Sequence, residues 1–134
     1  TAFLDSDTAR PELADGRTLL ATALGELQAM VAAMTGYLIG AQDNARELYR
    51  LGLESVPFLL AVGDLLIGWF LLQHAEIALD ALDADPTDRD RAFYSGKIAA
   101  AIFFAKNMLP RLTAERRIIE GVDLAVMDLR EEAF

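Results

Sequence analysis

The sequence predicts an all-α fold, an antiparallel helical bundle of three long helices, one short corner helix and a docked C-terminal tail. Two observations carry that reading. Residues 57–82, PFLLAVGDLLIGWFLLQHAEIALDAL, form a long apolar run with no proline beyond its first position, the pattern of a helix contacted on nearly every side. Upstream, Leu20, Leu24, Leu27, Val31, Met34 and Leu38 recur at alternating four- and three-residue steps, the spacing of a helix laid nearly parallel to its neighbours. Ala23, Met30 and Tyr37 widen that stripe by one heptad position.

The elements follow in order. Residues 1–10 have no period and only Phe3 and Leu4 to pack, so they read as a linker. Pro11 suits a first helical turn and Asp15-Gly16 a helix start, and the first long helix runs over about 15–39. Gly40 and Gln42-Asp43-Asn44 end it, with Asn44 or Asp43 capping a short corner helix through Gly52. Ser55 then supplies a capping hydroxyl and Pro57 a tolerated first-turn proline, which places the start of the central helix near residue 57. Residues 83–86 form the next turn, and Thr87 with Asp90 reads as an N-cap pair. The third helix buries Phe93, Ile98, Ala101, Ile102, Ala105 and Leu109. Pro110, lacking the N–H that would bond the Lys106 carbonyl, is expected to kink the helix there, which resumes to about Glu120 and stops at Gly121. Residues 122–134 form a tail with enough Leu and Met to dock in a groove.

At 134 residues the chain is one domain, 1–134, large enough for a core without staples. It has no cysteine, which removes disulfides, zinc thiolates and thiol nucleophiles together and fits a reducing cytosol. A hydrophobic fraction of 54% with mean hydropathy +0.27 is high for a free-standing domain and implies apolar surface meant for a partner. Net charge −9 argues against nucleic acid and anionic membrane as partners. The run 56–72 approaches the length of a membrane span, but Asp64 sits in its middle and Gln73, His74, Glu76 and Asp80 continue the same helix, so no span is expected. There is no basic stretch leading into an apolar one at the start, so no signal peptide is read; a start without Met suggests an excised domain.

No complete catalytic or binding motif is present. His74 is the single histidine, and two residues separate it from Glu76, which puts them on different helix faces. A di-metal bundle needs Glu-x-x-His twice, and the chain has none, so no metal is expected. His74 reads as a partly buried residue with a satisfied ring. The nine glycines form neither phosphate-loop pattern. Asp64 in its apolar surroundings needs a partner. Antiparallel geometry about a turn at Thr87 puts Lys106, Asn107 or Arg111 within a turn of it, so these four are expected to pair structurally. Lys106, Arg111, Arg116 and Arg117 form the basic cluster, fit to meet an anion but first of all placed where a helix terminus favours cations.

The segment Phe93-Tyr94-Ser95-Gly96-Lys97, leading into Phe103-Phe104-Ala105-Lys106-Asn107-Met108-Leu109-Pro110-Arg111-Leu112 and preceded by Val62-Gly63-Asp64 and Trp69, resembles the C-terminal helical extension of long-form, actinobacterial-type acyl-CoA dehydrogenases. The resemblance spans about residues 13–134. It implies an FAD-dependent parent flavoenzyme that removes hydrogens from the α and β carbons of acyl-CoA in fatty-acid β-oxidation, in the cytoplasm. The catalytic glutamate and the flavin site of that family lie on preceding domains, so no catalytic or cofactor-binding residue is carried onto this segment and no FAD is expected on the isolated domain. The implied role is a non-catalytic bundle packed on the remainder of the chain and on a neighbouring subunit of a homodimer or higher oligomer. A rival reading of the same residues is a self-contained helical interaction module without flavin chemistry, whose exposed stripe binds a partner helix.

Overall fold

The computed structural model describes residues 10–133. Their regular structure is helical throughout: a 3-10 turn Pro11–Leu13, α1 Ala14–Gly40, α2 Glu47–Asp83, α3 Asp88–Asn107, α4 Arg111–Gly121, and two 3-10 turns, Ala125–Asp128 and Glu131–Ala133. Short connections make α1, α2 and α3 antiparallel in turn. The expected linker 1–10 and the residues Phe3 and Leu4 lie outside the described residues, apart from Arg10.

The expected corner helix and central helix are one. α2 is continuous for 37 residues with Pro57 inside it. Proline there removes the N–H that would bond the Leu53 carbonyl, a cost the flanking turns absorb because the helix is packed against both neighbours. Ser55 does not cap a helix start. Its hydroxyl donates to the Gly52 carbonyl at 3.0 Å, within the helix just before the proline. Asn44 does not cap α2, whose N-cap is Arg46 without a side-chain cap bond; its Oδ1 accepts from the Arg46 N–H at 3.2 Å in the turn just ahead of the helix. Thr87 caps α3 as expected: its Oγ1 accepts from the Asp90 N–H at 3.2 Å and donates to Asp90 Oδ2 at 2.8 Å. In the turn before it, Asp85 adopts φ 52°, a left-handed conformation that Asp tolerates better than most, with Arg91 donating to its carboxylate at 3.1 Å. At Pro110 the chain breaks rather than bends, a turn separating α3 from α4.

The core is a layer of side chains between α2 on one side and α1, α3 and α4 on the other. Leu13, Leu20, Met30, Leu72, Leu109, Leu112 and Ile119 are its large members, with Ala23, Ala61, Ala75, Ala101 and Ala105 letting the helices close. On α1 the inward line is Leu20, Ala23 and Met30, buried, with Leu27, Met34 and Tyr37 partly buried. It lies one position round from the first stripe, so Val31 and Leu38 face outward. Phe93 is likewise exposed, while Ala101, Ala105 and Leu109 are buried. None of the described residues of the tail is buried; it is held by an Arg46–Asp128 ion pair, and Val126 shares a cleft with Arg117 and Ile118 of α4.

Two glycines set the interhelix distances. A Cβ on Gly16 of α1 would stand 2.8 Å from Leu72 Cδ2 of α2, and one on Gly68 of α2 would stand 2.8 Å from Leu109 Cδ2 and 3.3 Å from its Cγ. Both leucines are fully buried and have no room to withdraw. Tyr37 fastens the far end of α1, donating its hydroxyl to the Ile119 carbonyl at 2.7 Å. Gly68→Ala is therefore expected to lose about 1–2 kcal/mol, overpacking outweighing the gain of roughly 1 kcal/mol in helix propensity. Gly25→Ala on α1, where nothing lies within 4 Å of a Cβ, should instead gain up to about 1 kcal/mol. Urea unfolding of the two variants beside the parent sequence checks the opposite signs.

Candidate functional site

Charged side chains that enter the bundle do so mainly in pairs between helices. Arg17, 7% exposed, sends Nη2 to Glu76 Oε1 at 2.8 Å, joining α1 to α2. Glu26 of α1 receives Arg116 at 2.9 Å and the Thr113 hydroxyl at 3.1 Å, joining α1 to α4. Arg116 also meets Glu120 on its own helix. Arg10 binds Asp80 and Asp83, the latter at 2.7 Å, so the chain enters the bundle against the last turn of α2. Of the basic cluster, Arg116 is thus a structural cation. Lys106 is exposed, and Arg111 and Arg117 line separate clefts.

The expected pairing of Asp64 is not among the ion pairs of the described residues. Asp64 shares a cleft of about 260 Å³ with Val56, Pro57, Leu60, Arg111, Leu112 and Glu115. Asn107 turns its amide to the Phe103 carbonyl at 2.8 Å instead. The antiparallel register supplies part of the reason: Gly68 stands against Leu109, which shifts α2 by about one turn away from Lys106. The other part is hydration, since Asp64 is only half-buried and water meets its carboxylate at the cleft mouth.

His74 is exposed rather than partly buried. It lines a shallow cleft of about 240 Å³ with Ile77, Ala78, Phe93, Tyr94 and Lys97. Phe93 and Tyr94 meet edge to face at 5.6 Å and Lys97 Nζ sits 5.2 Å from the Phe93 ring centre, so this corner is an aromatic and cationic surface feature. Among the described residues no three acidic or imidazole side chains gather to hold a metal.

Sequence reasoning missed Glu54. It is 7% exposed, and its Oε2 is buried without a hydrogen-bond partner. A cleft of about 430 Å³ opens beside it, lined also by Leu53, Arg117, Ile118, Gly121, Val122, Asp123 and Val126. Burial, and secondarily the Glu115 charge, push its carboxyl above the ordinary value. The signal in the sequence was its position: Glu54 lies seven residues before buried Ala61 and therefore on the inner face of α2. Two of the clefts set carboxylates beside an arginine, Glu54 and Asp123 with Arg117, and Asp64 and Glu115 with Arg111.

The largest uncommitted feature is a face, not a cleft. Tyr49, Leu53, Val56, Leu60, Gly63, Ile67, Phe70, His74 and Ile77 follow one another along α2 at alternating four- and three-residue steps. All but half-buried Gly63 are exposed, and Leu59 and Leu66 widen the line on one side. No charged side chain interrupts it.

The sequence matches the family described as acetyl-CoA dehydrogenase C-terminal like over residues 1–130. The chain belongs to that family. Within it, a similar protein is the broad-specificity linear acyl-CoA dehydrogenase FadE5 of Mycobacterium tuberculosis, 52% identical over 132 residues. The match covers 98% of this chain and 22% of the relative. The family assignment agrees with the order of motifs around Gly63, Trp69, Phe93 and Pro110, and the all-helical bundle agrees with the expected fold class.

Because the folded-state pKa of Glu54 is raised, its effect on stability has a definite sign. Below the unfolded value of about 4.3 both states are protonated. As pH rises through the interval up to the folded value, the folded state holds the extra proton and loses stability, and above it the full penalty remains. Glu54→Gln should therefore stabilise the protein by about 1 kcal/mol at neutral pH and flatten this part of the stability profile from about pH 4.3 to neutrality. Thermal melts across that range check it; an unchanged slope would show that Glu54 is ionised at no cost.

Proposed function

We propose that this domain is the non-catalytic C-terminal helical domain of an FAD-dependent acyl-CoA dehydrogenase of fatty-acid β-oxidation, packed on the catalytic remainder of its chain and on a neighbouring subunit in a cytoplasmic homo-oligomer. The observation that carries the reading is the 52% identity to a broad-specificity linear acyl-CoA dehydrogenase across the whole domain. Two features of the bundle support it. Among its described residues the clefts set carboxylates beside arginines, Glu54 with Arg117 and Asp64 with Arg111, and the reading assigns the chemistry to the rest of the parent chain. Its apolar surface exceeds what a self-sufficient domain keeps, which suits a part of a larger body. Although α1 with its leading turn and α2 are each long and apolar enough by composition to cross a bilayer, Asp64 and the ion-paired ends of α2 favour protein over lipid around them.

The test is flavin absorbance with acyl-CoA-dependent dye reduction, on this domain and on its parent polypeptide side by side. The expected outcome is a yellow, active parent and a colourless, inert domain. A parent that holds no flavin and oxidises no acyl-CoA sinks the reading.

A further inference from the structure

We infer that the outward face of α2 is the surface by which this domain docks on the rest of its own polypeptide. This rests on the reading of the domain as one part of a longer dehydrogenase chain. The seam from Tyr49 to Ile77 extends about 42 Å along the helix axis. It is built on the four-three step that one helix presents to another lying alongside it. Leu59 is 67% exposed, Leu60 65%, Ile77 65% and Val56 62%. With Leu48, Leu53, Leu66, Ile67 and Phe70 they leave on the order of 900 Å² of contiguous apolar surface, beyond the roughly 300–600 Å² of the largest patch on a typical monomer. That area falls within the range of about 600–1,500 Å² for contacts between domains of one chain.

Three considerations select the occupant. Four-fifths of the length of the related dehydrogenase lies outside the stretch matched here, and a covalently attached neighbour is present at an effective concentration of order millimolar, ahead of any free partner. Arg10, the first described residue, is clamped to Asp80 and Asp83 on the last turn of α2, so the chain is fastened to the same helix that carries the face. The face carries no charge with which to select a polar ligand or an anionic surface. The complementary surface is accordingly an apolar one, helical in its contact spacing, on the preceding part of the parent chain.

The absence of cysteine from this chain makes the test direct. In the intact parent protein, with any cysteine outside this domain changed to serine, Leu60→Cys and Ile67→Cys report on the face, and Gln28→Cys and Arg89→Cys on α1 and α3 serve as references. All four positions are exposed in the domain, so the substitutions leave its core intact. Maleimide labelling at positions 60 and 67 is expected to be at least 100-fold slower than at 28 and 89, with no disulfide-linked dimer on oxidation. Labelling as fast as the references overturns the inference. So does an interchain disulfide through Leu60→Cys or through Gly63→Cys, where a Cβ meets nothing within 4 Å, because a second copy then occupies the face. Protection that appears only when phosphatidylcholine vesicles are added assigns the face to lipid and overturns it too. Flavin absorbance read on the same samples keeps the two ideas separable: a colourless parent with protected thiols rejects the dehydrogenase reading and retains the docked face.

Discussion

The arrangement of the domain follows from one constraint: α2 is apolar around most of its circumference, and three shorter helices cannot enclose it. A helix of about 10 Å diameter needs five or six neighbours to be surrounded. α1, α3 and α4 supply a semicircle. They pack where α2 offers its smallest residues, Ala61, Gly68, Ala75 and Ala78, so that large side chains from the other helices can reach its backbone. The leucines, isoleucine, valine and phenylalanine on the opposite half are left outward. Of the large apolar side chains of α2 only Leu65 and Leu72 are buried inward, a balance opposite to that of a helix that ends its interactions within its own domain.

Charge is arranged around that division. Arg17–Glu76 and Arg116–Glu26 sit at the seams where α1 meets α2 and α4. There each partner keeps some access to water and the cost of burying it is shared with the opposite charge. Glu54 breaks the pattern by bringing a carboxylate inward without a hydrogen bond to Oε2. It lies where α2 begins to emerge from cover beside the tail, a place where local density is low enough for the cleft that flanks it.

Much of this was legible in the sequence because helix periodicity and turn chemistry are local. Thr87 with Asp90, Pro110 and Gly121 announce their ends through their own hydrogen-bonding capacity, and the structure uses each nearly as expected. The misreadings share a cause in which distance along the chain hides the physics. Pro57 reads as a beginning by local rules, yet one missing hydrogen bond is small beside 37 residues of packing. Val31, Leu38 and Phe93 belong to apolar stripes, but periodicity gives the width of a stripe and not which edge meets another helix. His74 faces outward because the apolar arc around it faces outward as well. Asp64 was placed within a turn of its level; whether it closes a salt bridge depends on hydration at a cleft mouth, which no spacing encodes.

The contact between Gly68 and Leu109 has a consequence for how the family's sequences can drift. A methyl group at one position and the isobutyl group at the other compete for the same few cubic ångströms, so the two sites form a single inherited unit of volume. A lineage that acquires a side chain at 68 must first trim 109, or let α3 slide along α2 and carry the Pro110 break with it. Every single step away from the glycine passes through a poorly packed intermediate.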